Sequence, residues 1–385
     1  MAKASRSPSS NTLSTTNSTL ALGHRMPAEW EPHSATWLAW PHYQDDWPGK
    51  FEPIPWVYAE IIRNLAKQER VELIVKDASA ARQARRLLER ADALSANIRF
   101  HRWPTNRIWL RDSGCIFLKP LPVLARLDSR GQPSPSQSKK SEGAEPLALK
   151  FHFNAWAKYS NWRYDEKIGS LIARAAHARE IRPLSAGARM VLEGGSIDVN
   201  GVGTILTTEE CLLSKVQERN PHMARVHYEK AFADYLGASH TIWLGRGIDG
   251  DDTHGHVDDL TRFVSRDTVV TMVEPDAKDV NHAPLRANLR RLQAARDQSG
   301  KQLTVVELPM PQSVVFAGRR LPASYANFYV ANGVVLAPVF NRSNDRIALN
   351  ALAQLFPTRT IVPIYSGDFI WGLGAMHCMT QQQPA

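Results

Sequence analysis

The last segment of the chain carries a cysteine in a setting that suits covalent chemistry. Cys378 follows Gly372 and Gly374, and His377 stands directly before it. Small residues let a ligand approach the backbone closely, and an ionised thiol is a nucleophile. A free cysteine is also among the residue types most often buried as a small apolar side chain. We interpret Cys378 as a nucleophile, with buried packing as the alternative that the other motifs must decide.

A dense polar cluster lies between residues 249 and 259, which hold five aspartates and two histidines. On a strand, His254 and His256 would share one face and could bind a metal ion together with aspartate oxygens. Alternatively, one histidine performs acid–base chemistry while the aspartates bind a planar cation through bidentate hydrogen bonds. A solvated acidic turn is the third interpretation. The cluster by itself leaves all three open.

Two further acids and a tryptophan stand beside apolar runs. Glu193 is the single charge between an apolar pair and two glycines, where it either caps a loop or is a functional group held close to another backbone. Asp112 has comparable alternatives: it either has a structural role, by pairing with Arg111 or ending a strand, or is a functional acid. Trp109 is either a core residue or an aromatic wall for a flat cation.

Alternating strands and helices must position these residues. Residues 35–40 form an apolar run of strand length, 58–68 have helical spacing, 71–75 are again strand-like, and 78–91 predict a second helix. This recurring order predicts an α/β protein. Further amphipathic helices are predicted over residues 165–178, 208–213, 223–236, 283–298 and 345–356.

Five segments share one pattern, in which an apolar strand carries a polar or acidic residue beside glycine or a turn. They are residues 109–118, 192–207, 255–264, 325–336 and 374–383. Because their spacing is uneven, we predict a structural repeat and not a sequence repeat. If the units surround an axis, their polar residues converge on one central cleft.

Composition marks a tail before the main domain and an insertion within it. Residues 1–25 contain six Ser, four Thr and two Asn without any acid, which predicts a disordered tail. Residues 128–146 are rich in Ser, Pro, Gly and Lys, which predicts a polar insertion between strands of the same body. Residues 26–385 are therefore expected to form a single catalytic domain.

Composition excludes several classes of protein. Of the 385 residues, 43% are hydrophobic, and no apolar run approaches the roughly 18 residues of a membrane span. Cys115, Cys211 and Cys378 lie far apart and form no CxxC pair, which argues against a disulfide scaffold and for a reducing, cytoplasmic location. The formal charge of +9 is spread over predicted helix faces, so we expect neither a nucleic-acid partner nor a membrane partner.

Taken together, these motifs resemble the agmatine deiminase family, whose close kin are the bacterial peptidyl-arginine deiminases of the guanidino-group-modifying superfamily. The resemblance runs from about Met26 to the end of the chain, and several motifs in the same order make it specific. The segments that carry it are residues 26–33, 109–114, 153–156, 192–197, 206–213, 251–258, 322–329 and 377–384.

This resemblance implies a five-bladed α/β propeller of ββαβ units around a pseudo-fivefold axis, with no cofactor and no metal. It also implies a small guanidino substrate and a homodimer. By motif position, the implied catalytic residues are Cys378 as nucleophile, His256 as general acid/base and Glu193 as its orienting carboxylate. The implied substrate-binding residues are Asp112 and Asp258 for the guanidinium, with Asp252 and Trp109 as further contacts.

The sequence departs from the family pattern before His377, where Gly-Leu-Gly-Ala-Met replaces the more usual Gly-Gly-Gly-Asn-Ile, and in the insertion at 128–146. The substrate therefore stays open between agmatine, free arginine and a peptide's arginine. Two rival hypotheses are a metal-dependent hydrolase that uses His254 and His256, and a non-catalytic protein that binds arginine-like ligands. Chelator sensitivity would indicate the first, and the cysteine, histidine and glutamate together argue against the second.

Overall fold

Strands and helices alternate through the computed structural model, which describes Thr19 and residues 22–121, 145–185 and 187–385. In α1 (Ile54–Leu65), apolar residues three and four positions apart form one buried face. In α2 (Ala78–Arg90), the Asp77 carboxylate caps the helix by accepting a hydrogen bond from the Ala80 backbone N–H at 2.8 Å. The remaining α-helices of the described residues are α3 (Leu110–Ser113), α4 (Asp165–Ala175), α5 (Glu209–Leu213), α6 (Arg225–Ala231), α7 (His282–Ala294), α8 (Asp345–Leu355) and α9 (Met376–Met379).

The strands form sheets of three or four members. The first sheet contains β1 (His24–Arg25), β5 (Ile116–Pro120), β6 (Leu147–Leu149) and β7 (Arg179–Ile181); the second contains β10 (Asp198–Val199), β11 (Thr204–Thr208) and β12 (His240–Leu244). The third contains β13 (Thr261–Phe263), β14 (Thr268–Val273) and β15 (Thr304–Pro309); the fourth contains β18 (Tyr329–Val330), β19 (Val334–Val339) and β20 (Thr360–Tyr365). The fifth contains β21 (Gln381–Pro384), β2 (His33–Ala39), β3 (Arg70–Val75) and β4 (Ile98–Arg102). Two short ribbons pair β8 (Leu184–Ser185) with β9 (Ala188–Arg189) and β16 (Val315–Phe316) with β17 (Arg319–Arg320).

The five sheets of three or four strands share one order of strand pairing. In the third sheet, β13 pairs antiparallel with β14, which pairs parallel with β15. A parallel neighbour requires a crossover, and α7 supplies it here. The same sequence of an antiparallel pair followed by a helix-linked parallel strand occurs in the other four sheets. The predicted α/β class is therefore confirmed.

The C-terminal strand pairs with an N-terminal strand in the fifth sheet. β21 pairs antiparallel with β2, so that Gln381 lies opposite Trp37. The Trp37 indole N–H donates to Gln383 Oε1 at 3.0 Å, and the Ala385 N–H donates to the Pro32 carbonyl at 2.8 Å. Since α9 ends just before β21, this pairing holds Cys378 against the N-terminal part of the fold.

The largest apolar core contacts the region around Cys378. Trp47, Trp109 and Phe369 pack with ring centroids 5.7 to 6.2 Å apart. Both interpretations of Trp109 therefore have a physical basis, because it is 6% exposed within this core and also lines a cavity. Among the residues that the structure describes, none of the helices is long and apolar enough to cross a membrane.

Two local predictions of strand structure are wrong. Residues 109–112 do not extend a strand, because the N–H groups of Asp112 and Ser113 bond to the Trp109 carbonyl and form the turn α3; β5 begins only at Ile116. The segment with His254 and His256 is also not a strand. His254 has a φ of 64° in a turn, and His256 directly precedes the 3-10 turn Val257–Asp259, so their rings do not share a strand face.

The predicted end of the tail lies too far along the chain. His24 and Arg25 already belong to the fold as β1, where they pair with Pro120 and Lys119. The Arg25 guanidinium also binds the Glu31 carboxylate at 2.6 and 2.9 Å. The rest of the predicted tail, except for Thr19 and residues 22–23, and the predicted insertion from 128 to 144 lie outside the described residues.

Candidate active site

A cavity of about 680 Å³ opens beside Cys378. Four of the predicted site residues line it, namely Trp109, Asp112, Asp252 and Cys378. Behind them lie the other three, Glu193, His256 and Asp258, each 0% exposed. The structure thus brings together the seven residues that the sequence predicted, although they come from four separate stretches of the chain.

Cys378 lies in the short helix α9 and is 6% exposed. Its Sγ is 3.0 Å from Asn327 Nδ2, which donates to it, and 3.5 Å from Asp258 Oδ2. Burial and the nearby carboxylates of Asp258, Asp259 and Asp112 raise the pKa of the Cys378 thiol well above its usual value, against the opposing hydrogen bond from Asn327. A positive charge placed among these carboxylates would favour the thiolate.

Asp112 and Asp258 place two buried carboxylates next to that sulfur. Asp112 accepts hydrogen bonds from the Gly195 N–H at 3.0 Å and from the Trp156 indole at 2.9 Å. Burial raises the pKa of Asp112, and Asp258 and Glu193 raise it further, whereas His256 lowers it. Asp258 Oδ1 has no hydrogen-bond partner among the described residues. The pair can therefore accept additional N–H donors from a planar cation.

Gly195 makes this arrangement sterically possible. A Cβ atom at Gly195 would lie 2.5 Å from His256 Nδ1, 3.0 Å from Asp112 Oδ1 and 3.1 Å from Asp258 Oδ2. No side chain could occupy that position without displacing all three functional groups. The double glycine after Glu193 therefore reflects the close approach of the backbone to the site.

His256 is surrounded by acids. Its Nδ1 lies 3.9 Å from Asp112 Oδ2 and 4.0 Å from Asp258 Oδ1, and its Nε2 lies 4.0 Å from Glu193 Oε2. Burial lowers the pKa of His256, but Asp112, Cys211 and Asp258 together raise it well above its ordinary value. The ring is thus suited to carry a proton that it can donate to a reacting group.

Glu193 is held in place by a buried arginine. Arg219 Nε donates to Glu193 Oε1 at 3.0 Å, and both side chains are at most 1% exposed. The other oxygen, Oε2, faces His256 and has no hydrogen-bond partner among the described residues. Of the two interpretations of Glu193, loop cap or functional group, the geometry favours the second, because its free oxygen points at the histidine.

Asp252 lies at the outer part of the cavity and is already engaged. Its carboxylate accepts hydrogen bonds from Lys158 Nζ at 2.5 Å and from the Tyr159 hydroxyl at 2.7 Å, with Arg319 Nη2 at 3.5 Å. These three partners also line the cavity. At the cavity mouth, Asp252 is therefore not a free acid, because it is paired with two half-exposed cations.

A set of buried residues behind the site received no role from the sequence. Asn327 donates to both Cys378 Sγ and Asp259 Oδ1, and its own Oδ1 accepts the His377 N–H at 3.0 Å. His377 bridges Asp258 and Glu29. The sequence signal that could have found them is that Glu29, Asn327 and His377 each lie in one of the family-like segments.

The ligand set of the rival metal-dependent enzyme does not converge. His254 turns away from His256 and contacts Ser214 Oγ at 3.0 Å. In the described part of the chain, the residues whose possible ligand atoms gather are Glu193, Cys211 and His256. Arg219 is a poor neighbour for a metal ion there, because its cation already binds Glu193.

Known proteins resemble this chain along most of its length. An agmatine deiminase of Pseudomonas aeruginosa strain UCBPP-PA14 is 32% identical, with 96% of this chain and 98% of the relative covered. The solved agmatine deiminase of Enterococcus faecalis is 28% identical, with a TM-score of 0.83 and with 96% of this chain and 98% of that chain covered. An agmatine deiminase of C. jejuni solved with substrate bound is 26% identical, with a TM-score of 0.78 and 94% and 96% coverage. The model of the Porphyromonas-type peptidyl-arginine deiminases matches residues 25–384, and the chain belongs to that family.

Proposed function

We propose that this protein is an agmatine deiminase, which hydrolyses the guanidinium of agmatine to N-carbamoylputrescine and ammonia. The observation that carries the proposal is the placement of Cys378 Sγ 3.5 Å from Asp258, within one buried cluster that includes Asp112 and His256. A thiol, two carboxylates and a histidine are the groups that attack on a guanidinium carbon requires. The curated and solved relatives named agmatine deiminase support the choice of substrate.

Substrate binding would begin with the two carboxylates. A guanidinium is a poor electrophile because its charge is delocalised, so Asp112 and Asp258 hold its N–H groups and fix its central carbon over Cys378 Sγ. Trp109 forms an aromatic wall beside it. The bound cation also offsets the acids that raise the pKa of the thiol, so that the thiolate forms in the presence of substrate.

The reaction then proceeds in two halves. The Cys378 thiolate attacks the guanidinium carbon, protonated His256 donates a proton to one departing nitrogen, and ammonia leaves an amidino group bonded to sulfur. Neutral His256 next takes a proton from water, the hydroxide adds to the same carbon, and the C–S bond breaks. The hydroxyl proton of the adduct is lost to solvent, where ammonia takes it up, so the products are the ureido compound, ammonium and the regenerated thiolate. Glu193, held by Arg219, orients His256 in both halves.

The architecture that presents these residues is a five-bladed propeller, in which the five sheets surround a pseudo-fivefold axis. The shared connection of the sheets supports this arrangement. The convergence of residues from four stretches of the chain on one cavity also supports it. The chain from His24 onward acts as one catalytic domain, the enzyme is cytoplasmic, and it forms a homodimer. Size-exclusion chromatography with light scattering tests the last point.

One observation favours a second candidate substrate. Agmatine ends in an ammonium, yet Lys158 and Arg319 place two cations around Asp252 at the cavity mouth. A carboxylate at the far end of the substrate, as in arginine, would be attracted by those cations. The alternative function is therefore deimination of free or peptide-bound arginine by the same chemistry.

The decisive experiment measures ammonia release by the purified protein from agmatine, free arginine and an arginine peptide in parallel, with and without a chelator. Selective turnover of agmatine that is indifferent to chelator supports the proposal. Faster turnover of an arginine substrate changes the substrate and keeps the mechanism. Loss of activity with chelator, or no turnover of any guanidino compound, contradicts the proposed function.

A further inference from the structure

His377, the neighbour of the nucleophile, lies between two buried carboxylates. Its Nδ1 is 2.7 Å from Asp258 Oδ2, and its Nε2 is 2.9 Å from Glu29 Oε2. The three side chains are 3%, 0% and 6% exposed. A neutral imidazole has one N–H and one lone pair, so it could donate to only one of these oxygens. An imidazolium has an N–H for each carboxylate, so a hydrogen bond at Nδ1 and a 2.9 Å charged contact at Nε2 are together the geometry of a charged ring.

Glu29 is held as an anion by its other contacts. Its Oε1 accepts the Val330 N–H at 2.8 Å and lies 3.0 Å from Arg262 Nη2, and its Oε2 lies 3.2 Å from Arg111 Nη2. Burial raises the pKa of Glu29, but Arg262, His377 and Arg111 together bring it well below its ordinary value. The carboxylate that faces Nε2 is thus permanently charged near neutral pH.

Asp258, the other carboxylate that contacts His377, is surrounded by ionisable groups. Three acidic groups face it, namely Asp259 on its own segment, Asp112 from α3 and the Cys378 thiol from α9. Three basic groups also face it, namely His377 from α9, Arg262 from β13, and His256, which lies just before the turn Val257–Asp259. Burial and mutual repulsion raise the pKa of both Asp112 and Asp259. Burial also raises the pKa of Asp258, but His377, His256 and Arg262 lower it below its ordinary value.

The hydrogen bond from His377 is what distinguishes Asp258 from those two neighbouring aspartates. Asp112 accepts hydrogen bonds from neutral donors, the Gly195 amide and the Trp156 indole, and Asp259 accepts one from the Asn327 amide. Asp258 alone of the three accepts a hydrogen bond from a histidine. A charged donor at this distance opposes protonation of the carboxylate more strongly than a single neutral donor does.

We propose that His377, anchored by Glu29, is a positioning residue that keeps Asp258 ionised and aligned for the guanidinium. It acts through Asp258 and not on the substrate. The proposal rests on the proposed function, because it assumes that Asp258 binds a guanidinium. Two residues from opposite ends of the chain, 29 and 377, would then determine the charge of a site carboxylate.

The test is the pH profile of kcat/KM for the substrate that the wild type turns over best. In His377→Gln, we expect the acid limb of the profile to move to higher pH by about one unit or more, because Asp258 loses the charge that opposes its protonation. Glu29→Gln should move it in the same direction by less. The matched control is His101→Gln, which removes a histidine that binds Glu72 at 2.6 Å in the fifth sheet.

An acid limb that stays in place while activity falls equally at every pH would reduce His377 to a structural role and overturn the proposal. A shift of the same size in His101→Gln would overturn it as well. Recovery of most of the lost kcat/KM at high pH in His377→Gln supports it, since Asp258 then ionises without help.

A measurement that needs no activity separates this proposal from the proposed function. In the protein labelled with ¹⁵N-histidine, the ring signals that disappear in His377→Gln should be those of an imidazolium with a proton on each nitrogen, as its position between two carboxylates requires. A neutral ring contradicts the charged bridge even if the enzyme is active. A charged ring in a protein without deiminase activity supports the bridge and contradicts only the assigned reaction.

Discussion

The base of the cavity, around Cys378, and its mouth, around Asp252, differ in burial and in the partners of their acids. At the base, Asp112, His256 and Asp258 are at most 6% exposed, and Asp258 Oδ1 has no hydrogen-bond partner among the described residues. At the mouth, Asp252 has three partners, and the side chains of Lys158 and Arg319 are 39% and 46% exposed. Electrostatic interactions are strong in the buried base and screened at the mouth. We therefore expect the base to determine the reaction and the mouth to tune the choice of substrate.

The largest effect should come from the sulfur at the base. Cys378→Ala is expected to abolish ammonia release, because it removes the thiol that lines the cavity beside Asp112, while circular dichroism and the melting temperature stay close to those of the wild type. Cys115→Ala is the matched control, since that cysteine is also buried but has Lys150 and Glu180 as its charged neighbours and not the acids of the site. Near-normal turnover by Cys378→Ala would exclude the covalent mechanism.

The next largest effect concerns proton transfer. His256→Asn should lower kcat by roughly 10²- to 10⁴-fold, the usual contribution of a positioned general acid/base. His254→Asn serves as control, because that residue lies in the same turn with a φ of 64° that asparagine adopts readily, and its ring hydrogen-bonds to Ser214 away from the site acids. Steady-state kinetics of both variants decide the matter; equal losses in the two would remove His256 from its assigned role.

The third effect is on guanidinium binding. Asp112→Asn removes the negative charge of one of the two guanidinium-binding carboxylates and keeps the shape of the side chain. The decrease in kcat/KM should correspond to roughly 2–5 kcal/mol of lost interaction, mainly through weaker productive binding. Isothermal titration of a guanidino ligand into Cys378→Ala/Asp112→Asn, compared with Cys378→Ala alone, measures this loss directly. Unchanged affinity would mean that Asp112 does not contact the guanidinium.

The smallest effect should come from the mouth. Lys158→Gln removes one half-exposed cation beside Asp252, which should shift the ratio of kcat/KM for agmatine to that for arginine towards agmatine by about 0.2–1 kcal/mol, or a few-fold at most. Lys230→Gln, on the outer face of α6 where the lysine pairs with Asp234, is the control. An altered kcat with an unaltered ratio would contradict the division between base and mouth.

Much of the fold could be read from apolar spacing. The helix predicted over 78–91 is α2, Ala78–Arg90, and the strand predicted over 71–75 is β3, Arg70–Val75. The errors at 109–112 and 254–256 have a common cause. In both places the backbone turns to aim a polar side chain at the site, and neither a short apolar run nor a His-x-His pair gives any sign of such a turn.

The sequence by itself determined which residues could do chemistry: a cysteine after two glycines, a histidine among aspartates, and a glutamate before a double glycine. Only the tertiary structure decided what those groups can do. It raised the pKa of Cys378 by burying it among acids, engaged Asp252 with Lys158 and Arg319, and joined Glu29 to His377 across almost the whole chain. The physical reason is that burial and charge–charge distances depend on spatial neighbours, which residue spacing along the chain does not specify.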